Sequence, residues 1–341
     1  MDKDKIKKIL VITLTNIGDV ILTTPVIETL KANFPQVSLD ILVGPRGKEV
    51  LEKDKGIRRL IIYDKHVYLR EKFSLIKKLR LERYDLVIDL RQTIIPFLIG
   101  PGYRTPFLRR IPKHILHMWE RHLYKIKNLP IRSGLRQFGE IAKIKYQKPL
   151  IHTDEDDEKY INGLLEKEGL NTNDLLIVIA PGARSSTKRW SLESFIEVAR
   201  ELRNELKAKI VLVGDREDFG VAEKIKENLK TGIFNFAGKT TISQLVVLLK
   251  KAKILITNDS AVLHCGSAVN LPTIAIFGPT DPFKYGPLAE NSIVLRRFLP
   301  CVPCEKAQCK YGDKRCLELI KPWEVIEGVK RLLFFRHQFS A

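Results

Sequence analysis

The chain has 341 residues, a length typical of two domains, and its 44% hydrophobic content is enough for ordinary buried cores. The counts of 20 glycines and 17 prolines exclude collagen-like and disordered classes. Positive charge is concentrated in the first half: residues 1–150 hold 31 basic and 15 acidic side chains, whereas residues 151–341 hold 28 and 25. This half therefore predicts an anionic partner, such as nucleic acid, a membrane surface or an acidic substrate.

Short apolar runs alternate with helical patterns along most of the chain. In the first half we predict strands at Lys8–Leu14, Ser38–Val43, Leu60–Tyr63 and Asp85–Leu90, and helices at Val20–Asn33 and Glu71–Glu82. In the second half we predict strands at Leu175–Ala180, Lys209–Gly214, Ile233–Ala237, Ile254–Thr257 and Thr273–Phe277, with helices at Leu192–Leu206, Val221–Leu229, Ile242–Lys251 and Ala261–Ala268. This alternation predicts an α/β fold of two doubly wound, Rossmann-like domains that face a cleft.

The domains are expected at residues 1–150 and 151–322, followed by a helix in residues 323–341 that packs back toward the first domain. The apolar run Ile9–Ile12 is too short for a signal peptide, and no stretch approaches the ~18 apolar residues of a membrane span. Five cysteines, four of them in one cluster, do not resemble a secreted disulfide framework. These features predict a cytoplasmic protein, peripherally associated with a membrane.

The loop after the first strand carries a candidate general base. Gly18 allows a tight turn as the helix begins, and Asp19 follows it at the expected cleft edge. An aspartate in this position commonly caps a helix and does nothing more. Its alternative role is to accept a proton from an attacking hydroxyl group.

A second loop, PGARSSTKRW at residues 181–190, combines small residues, hydroxyls and cations before a helix. Such a loop is suited to binding phosphate at a helix N-terminus, although it lacks the P-loop spacing. Its candidate donor-binding residues are Arg184, Ser186, Thr187 and Lys188. The alternative is a solvated loop in which Ser191 caps the next helix.

Two further strand ends carry polar groups. Asp259 and Ser260 open a helix whose His264 lies on the same face as Ser260, and the helix start suits a diphosphate. A histidine in a helix is often only a packed core residue. After another strand, Asp215 or Glu217 could bind ribose hydroxyls, or merely begin a solvated helix.

Taken together, these loops resemble glycosyltransferase family 9, the ADP-heptose:lipopolysaccharide heptosyltransferases. The resemblance spans ILVITLTNIGDVILTTPVIETLKANFP, PGARSSTKRW, LVGDRED, NDSAVLHCGSAVNLPTIAIFGPTDP and CVPCEKAQCKYGDKRC in that order. It implies a GT-B fold and inverting transfer from ADP-heptose, as co-substrate, to a Kdo or heptose hydroxyl of the lipopolysaccharide inner core. It also implies that Asp19 is the base, that Lys188 contacts the diphosphate, and that Asp259, Ser260 and His264 reach the diphosphate and sugar.

The resemblance also explains the basic first half. Lipid A–Kdo acceptors are anionic and lie at the inner membrane leaflet, where a basic domain is attracted. The candidate acceptor-binding residues are Gly18, Arg46, Arg58, Arg59, Arg104 and Arg121, with Arg109 in the same basic stretch as the last two.

Other interpretations are left open by the sequence. Cys301, Cys304, Cys309 and Cys316 supply enough thiols for zinc, but their spacing is not a standard two-knuckle pattern, and the sequence alone does not favour a metal. The alternatives in function are a GT-B transferase for another nucleotide-sugar, and a non-enzymatic protein that binds anionic glycolipid or nucleic acid. A nucleotide-sugar epimerase would not need the basic domain. No nucleic-acid motif appears, so no nucleic-acid partner is expected.

Overall fold

A computed structural model describes residues 6–338, except residues 65, 67, 108, 109, 128–148 and 172, and gives only the backbone of residues 335–338. Arg109 of the predicted acceptor stretch thus lies outside the described residues. Contacts divide the chain into two units, Met1–His152 and Thr153–Ala341, two residues from the boundary predicted at residue 150.

The N-terminal unit contains a five-stranded parallel sheet. Its strands are β1 (Lys8–Ile12), β2 (Ser38–Val43), β3 (Arg59–Ile62), β4 (Leu86–Asp89) and β5 (Tyr103–Arg104). Their spatial order is β3-β2-β1-β4-β5, and every pair is parallel. The order reverses between β1 and β4, the switch point at which doubly wound folds hold ligands.

Six helices accompany this sheet in the described residues: α1 (Ile17–Ile21), α2 (Thr24–Asn33), α3 (Lys48–Leu51), α4 (Leu69–Leu81), α5 (Ile95–Ile99) and α6 (Met118–Lys127). The prediction of a single helix over Val20–Asn33 is wrong, because the helix is interrupted between α1 and α2. The Thr23 and Thr24 hydroxyls donate to the carbonyls of Val20 and Ile21 at 2.7 and 2.8 Å. Pro25, which has no N–H, lies in the first turn of α2, where none is needed.

The C-terminal unit contains a six-stranded parallel sheet. Its strands are β6 (Leu176–Ala180), β7 (Lys209–Leu212), β8 (Ile233–Asn235), β9 (Ile254–Asn258), β10 (Thr273–Ile276) and β11 (Ser292–Leu295), the last of which was not predicted from the sequence. Their order is β11-β10-β9-β6-β7-β8, so the switch point lies between β6 and β9. The two sheets confirm the predicted pair of Rossmann-like domains.

The helices of this unit are α7 (Glu155–Lys167), α8 (Leu192–Leu206), α9 (Phe219–Leu229), α10 (Ile242–Lys251), α11 (Ala261–Ala268), α12 (Pro282–Tyr285), α13 (Arg315–Glu318) and α14 (Pro322–Gln338). We expected the last helix to pack toward the first domain. Within the C-terminal unit, Val325 and Val329 of α14 are buried in one core cluster with Ile274 of β10. A Cβ atom on Gly328 would lie 2.9 Å from the Ile274 side chain, so the helix approaches the sheet of its own unit closely.

No helix within the described ranges is both long and apolar enough to cross a membrane.

Candidate active site

The switch point of the C-terminal unit brings two predicted loops together. The loop after β6 carries Lys188, and the loop after β9 carries Asp259. The Lys188 Nζ atom lies 2.7 Å from Asp259 Oδ2. Asp259 is buried and Lys188 is about one-third exposed, so the ammonium group neutralises a buried carboxylate while one side remains open to a ligand.

Asn258, which was not selected from the sequence, fixes the position of the Lys188 loop. Its buried side chain donates from Nδ2 to the Pro181 carbonyl at 2.8 Å and accepts at Oδ1 from the Trp190 backbone N–H at 3.1 Å. One amide thus holds both ends of the loop. The sequence feature that could have identified Asn258 is a polar residue at the last position of a buried strand.

The helix after Asp259 begins at the same sheet edge. Ser260 is the N-cap residue of α11, and its hydroxyl lies 3.2 Å from the Thr257 hydroxyl. The Ser260 side chain does not cap this helix, so the first N–H groups of α11 are available to an anion. His264 is buried one turn further along α11.

The structure separates the two acids considered for ribose. Both side chains are exposed, but the Asp215 carboxylate accepts the backbone N–H groups of Glu217 and Asp218 and therefore caps the following turn. The neighbouring Asp218 is buried against Gly182, where an added Cβ would come within 2.1 Å of its carboxylate. Burial and the charge of Asp215 raise the pKa of Asp218. Sequence reasoning missed this close contact between the β6 and β7 loops.

The remaining predicted donor residues differ in exposure. Arg184 and Ser186 are not buried on the Lys188 loop. Thr187 is buried, and its hydroxyl lies 2.8 Å from the Ser185 hydroxyl and donates to the Lys306 carbonyl at 3.2 Å. Its hydroxyl is therefore engaged within the protein, which argues against direct phosphate contact.

In the N-terminal unit, Asp19 lies in the first turn of α1, directly after β1. Its side chain is half-buried, and Asn16 Nδ2 donates to its Oδ2 at 2.9 Å. The loop after β2 packs tightly on this segment, since a Cβ on Gly44 would lie 2.5 Å from the Thr15 side chain. This packing brings the exposed Arg46 and the half-buried Gly18 to the same sheet edge as Asp19.

Arg58 and Arg59 require a correction, because they lie at the start of β3, at the opposite edge of the sheet. Their guanidinium groups lie 2.6 and 2.7 Å from the fully buried Asp40 carboxylate on β2, and both also contact Glu82. Burial alone would raise the pKa of Asp40, but donation from the two arginines lowers it. Both arginines therefore compensate a buried charge and are not placed for an acceptor.

The other predicted acceptor arginines keep exposed surface. Arg104 on β5 stacks over the Phe97 ring at 4.1 Å, and Arg121 on α6 donates to the Ile115 carbonyl at 3.0 Å. Sequence reasoning missed Lys125 on the same helix, whose Nζ donates to the Leu90 carbonyl just after β4 at 2.6 Å. Burial lowers the pKa of Lys125. A cation therefore lies at the N-terminal switch point as well.

A sequence profile of glycosyltransferase family 9 (heptosyltransferase) matches residues 72–315, more than two-thirds of the chain. The chain belongs to glycosyltransferase family 9. Lipopolysaccharide heptosyltransferase 2 of Escherichia coli K12 is 25% identical over 96% of this chain and 98% of its own length. Lipopolysaccharide heptosyltransferase 3 of the same strain is 30% identical, with 81% and 84% covered.

Solved structures of family 9 proteins share the whole architecture. The structure of E. coli ADP-heptose lipopolysaccharide heptosyltransferase II matches with a TM-score of 0.77 and 25% identity, over 97% of this chain and 99% of that one. The family 9 glycosyltransferase of Veillonella parvula DSM 2008 matches with a TM-score of 0.81, also at 25% identity, over 96% and 97%. The chain is therefore a glycosyltransferase of the GT-B fold.

Proposed function

We propose that this glycosyltransferase moves a heptose from ADP-heptose to a Kdo or heptose hydroxyl of the lipopolysaccharide inner core, with inversion at the anomeric carbon. The single observation that supports this most is the Lys188–Asp259 pair at a switch point beside the start of α11. The similarity to lipopolysaccharide heptosyltransferases 2 and 3 supports the substrate class.

In the proposed reaction, the acceptor hydroxyl attacks the anomeric carbon of the donor. Asp19 takes the hydroxyl proton as the new C–O bond forms, and the bond from carbon to the diphosphate oxygen breaks. Because this is one displacement, the configuration inverts. Asp19 suits this role because its carboxylate is half-buried and accepts a hydrogen bond from Asn16. That bond orients one oxygen and leaves acceptor capacity on the carboxylate.

The leaving ADP gains negative charge, and the C-terminal unit supplies the groups that would stabilise it. We assign this role to Lys188 and to the first N–H groups of α11, with Arg184, Ser186 and Ser260 as further contacts. Asp259 holds Lys188 in place, and His264 lies one turn into the same helix. For the ribose we favour Glu217 over Asp215, because the Asp215 carboxylate already caps a turn. ADP-heptose is the only co-substrate that this scheme needs.

The acceptor would bind the N-terminal unit near Asp19. Gly18 and Arg46 share the sheet edge with that residue, while Arg104 and Arg121 add positive charge elsewhere on the unit. Anionic Kdo and phosphate groups favour such a surface.

We further propose that this unit rests on the cytoplasmic face of the inner membrane. Tyr68, Leu69 and Phe73 at the start of α4 are each more than 70% exposed, and Arg70 and Lys72 lie among them. Exposed apolar side chains with interleaved cations are typical of surfaces that bind anionic bilayers. Leu69→Ser/Phe73→Ser should lose co-sedimentation with anionic vesicles, whereas Phe334→Ser on α14, equally exposed, should not. Equal loss in both would contradict a surface on α4.

The deciding experiment combines donor selection with product stereochemistry. Calorimetric titration with ADP, UDP and GDP should show selective binding of ADP. Turnover with ADP-heptose and Kdo–lipid A, with or without a first heptose, would then identify the acceptor, and the anomeric configuration of the product would be read by NMR. A preference for UDP or GDP would overturn the heptose assignment in favour of another nucleotide-sugar, and a retained configuration would overturn the single displacement.

A further inference from the structure

The four clustered cysteines have no role in the proposed transfer, yet the structure brings them to one place. Cys301, Cys304, Cys309 and Cys316 all line a single cavity of about 170 Å³ in the C-terminal unit. All four are free thiols. Cys316 is buried at the start of α13, and the other three are partly exposed on the preceding loop.

Several backbone N–H groups are directed at the sulfur atom of Cys309. N–H groups of Tyr311, Lys314 and Gly312 donate toward the Cys309 sulfur. Gly312 has a φ of +78°, a conformation that glycine adopts without strain and that turns the chain back toward the sulfur. Hydrogen bonds of this kind stabilise a thiolate, which is the form that binds a metal.

The charges of the segment complement a metal–thiolate group. Residues 301–316 carry four cations, Lys306, Lys310, Lys314 and Arg315, against the two acids Glu305 and Asp313. All four cations line the same cavity as the thiols. Four thiolates around a divalent ion carry a net charge of −2, which this surplus of positive charge balances.

We propose that Cys301, Cys304, Cys309 and Cys316 bind one transition-metal ion as a tetrathiolate site. Four sulfur ligands in tetrahedral geometry select zinc or iron among the common first-row metals. Of these four sulfur atoms, all in described residues, no three lie within 4.8 Å of one another, whereas a closed site with bonds of about 2.3 Å holds them about 3.8 Å apart. Loading therefore requires rotation of the side chains on the exposed loop.

A competing cation site in the described part of the chain fits less well. Glu28, Asp54 and His152 place their donor atoms within 4.8 Å of one another. The Lys31 ammonium, however, already lies 2.7 Å from Glu28 and 2.9 Å from Asp54. A protein cation therefore occupies that position, whereas the four thiols surround an open cavity.

The position of the cysteine segment gives the metal a structural role. Its Lys306 carbonyl accepts from Thr187, the neighbour of Lys188, and the Glu305 N–H donates to the Pro279 carbonyl at 2.9 Å. The segment thus contacts the loops that follow β6 and β10. Closure of the four thiols around an ion would stiffen both loops.

The test is metal analysis of the full chain purified under reducing conditions. Elemental analysis should give about one zinc or iron per chain, and replacement by Co²⁺ should produce thiolate-to-cobalt charge-transfer absorption. Cys309→Ser and Cys316→Ser should each reduce bound metal at least fivefold. Cys265→Ala, a buried free cysteine outside the cluster, should keep the full stoichiometry. If Cys316→Ser fails to fold, Cys301→Ser and Cys304→Ser on the exposed loop provide the same readout.

A second readout is independent of transferase activity. Metal removal should speed hydrogen exchange in residues 185–190 by at least fivefold and leave β1 unchanged. Absence of metal together with absence of cobalt–thiolate absorption would overturn the proposal. So would metal retained after serine replacement of all four cysteines, or pairing of the four thiols as two disulfides.

Discussion

The two units hold an aspartate at equivalent places in opposite ways. Asp19 follows β1 in the N-terminal unit, is half-buried, and receives a hydrogen bond from Asn16. Asp259 follows β9 in the C-terminal unit, is buried, and is paired with Lys188. The carboxylate of Asp19 can therefore still accept a proton, whereas the charge of Asp259 is neutralised by Lys188.

This difference separates reaction from binding. A general base must reach the hydroxyl proton and keep a lone pair available. A binding site gains from groups held rigidly before the ligand arrives, because less conformational freedom is lost on association. We therefore assign proton transfer to the N-terminal aspartate and positioning of a cation to the C-terminal one.

The largest expected effect is on kcat, and it is tested by replacing each of the two aspartates, Asp19 and Asp259, by asparagine. Asp19→Asn should lower kcat by about 10²–10⁴-fold, since it removes the base, while the Kd for ADP changes less than about twofold. Asp259→Asn should instead weaken ADP binding, because Lys188 loses the group that positions it. Steady-state kinetics and calorimetry on both variants check this. An equal loss of ADP affinity in Asp19→Asn would end the distinction between the two aspartates.

A second comparison lies within the N-terminal unit, between its two sheet edges. Replacing both Arg58 and Arg59 by alanine leaves the buried Asp40 without a cation and should cost about 3–5 kcal/mol of stability. Arg46→Ala, at the exposed edge near Asp19, should leave stability unchanged and raise the KM for the acceptor. Urea unfolding and acceptor kinetics measure the two effects. A raised acceptor KM in a folded Arg58→Ala variant would return that arginine to the acceptor site.

Lys188→Ala should weaken ADP binding by about 10–100-fold, the usual loss for one charge-assisted hydrogen bond. The variant also leaves Asp259 buried without its cation, so the double variant Lys188→Ala/Asp259→Asn serves as the matched control. If the double variant recovers stability but not ADP affinity, the lysine contacts the ligand. Recovery of both would give Lys188 a purely structural role.

Most of the fold could be predicted from the hydrophobic pattern of the sequence alone. The sequence predicts both parallel sheets, because buried parallel strands are continuous apolar runs. It also predicts the helices Leu192–Leu206 and Ile242–Lys251 and the loops that follow the strands. Two strands were missed: β5 spans only two residues, and β11 spans four that are only partly buried. Ion pairs and hydrogen bonds between residues far apart in the sequence could not be predicted either.

Arg58 and Arg59 show why pairing could not be predicted. Their partner Asp40 is 18 residues before Arg58 on another strand, and only the register of β2 with β3 brings them together. Asn258 and Thr187 were misjudged for the same reason, since each makes its decisive contacts with residues far away in the sequence. Residue type predicts the chemistry a side chain can perform, whereas the tertiary fold determines whether that chemistry is already used.

The smallest expected effect concerns the pH dependence of stability. It tests whether acid destabilises the N-terminal unit by protonating a buried histidine. His122 on α6 is almost fully buried, and burial, with the nearby cations Lys125 and Arg121, lowers its pKa to about 3. Its Nδ1 atom has no hydrogen-bond partner within the described residues. The folded protein thus holds the ring neutral, while the unfolded chain protonates near a pH of about 6.5.

The neutral His122 therefore contributes its full share of stability above a pH of about 6.5. This contribution falls as the pH drops toward 3, and the loss between pH 7 and pH 5 is about 2 kcal/mol. His122→Leu should remove this part of the pH dependence, measured by urea unfolding at both pH values with hydrogen exchange followed in α6. His66, which is exposed, serves as the control, because His66→Leu should leave the pH dependence intact. An identical pH dependence in wild type and His122→Leu would show that the ring takes up its proton equally in the folded and unfolded states, and would contradict the lowered pKa of His122.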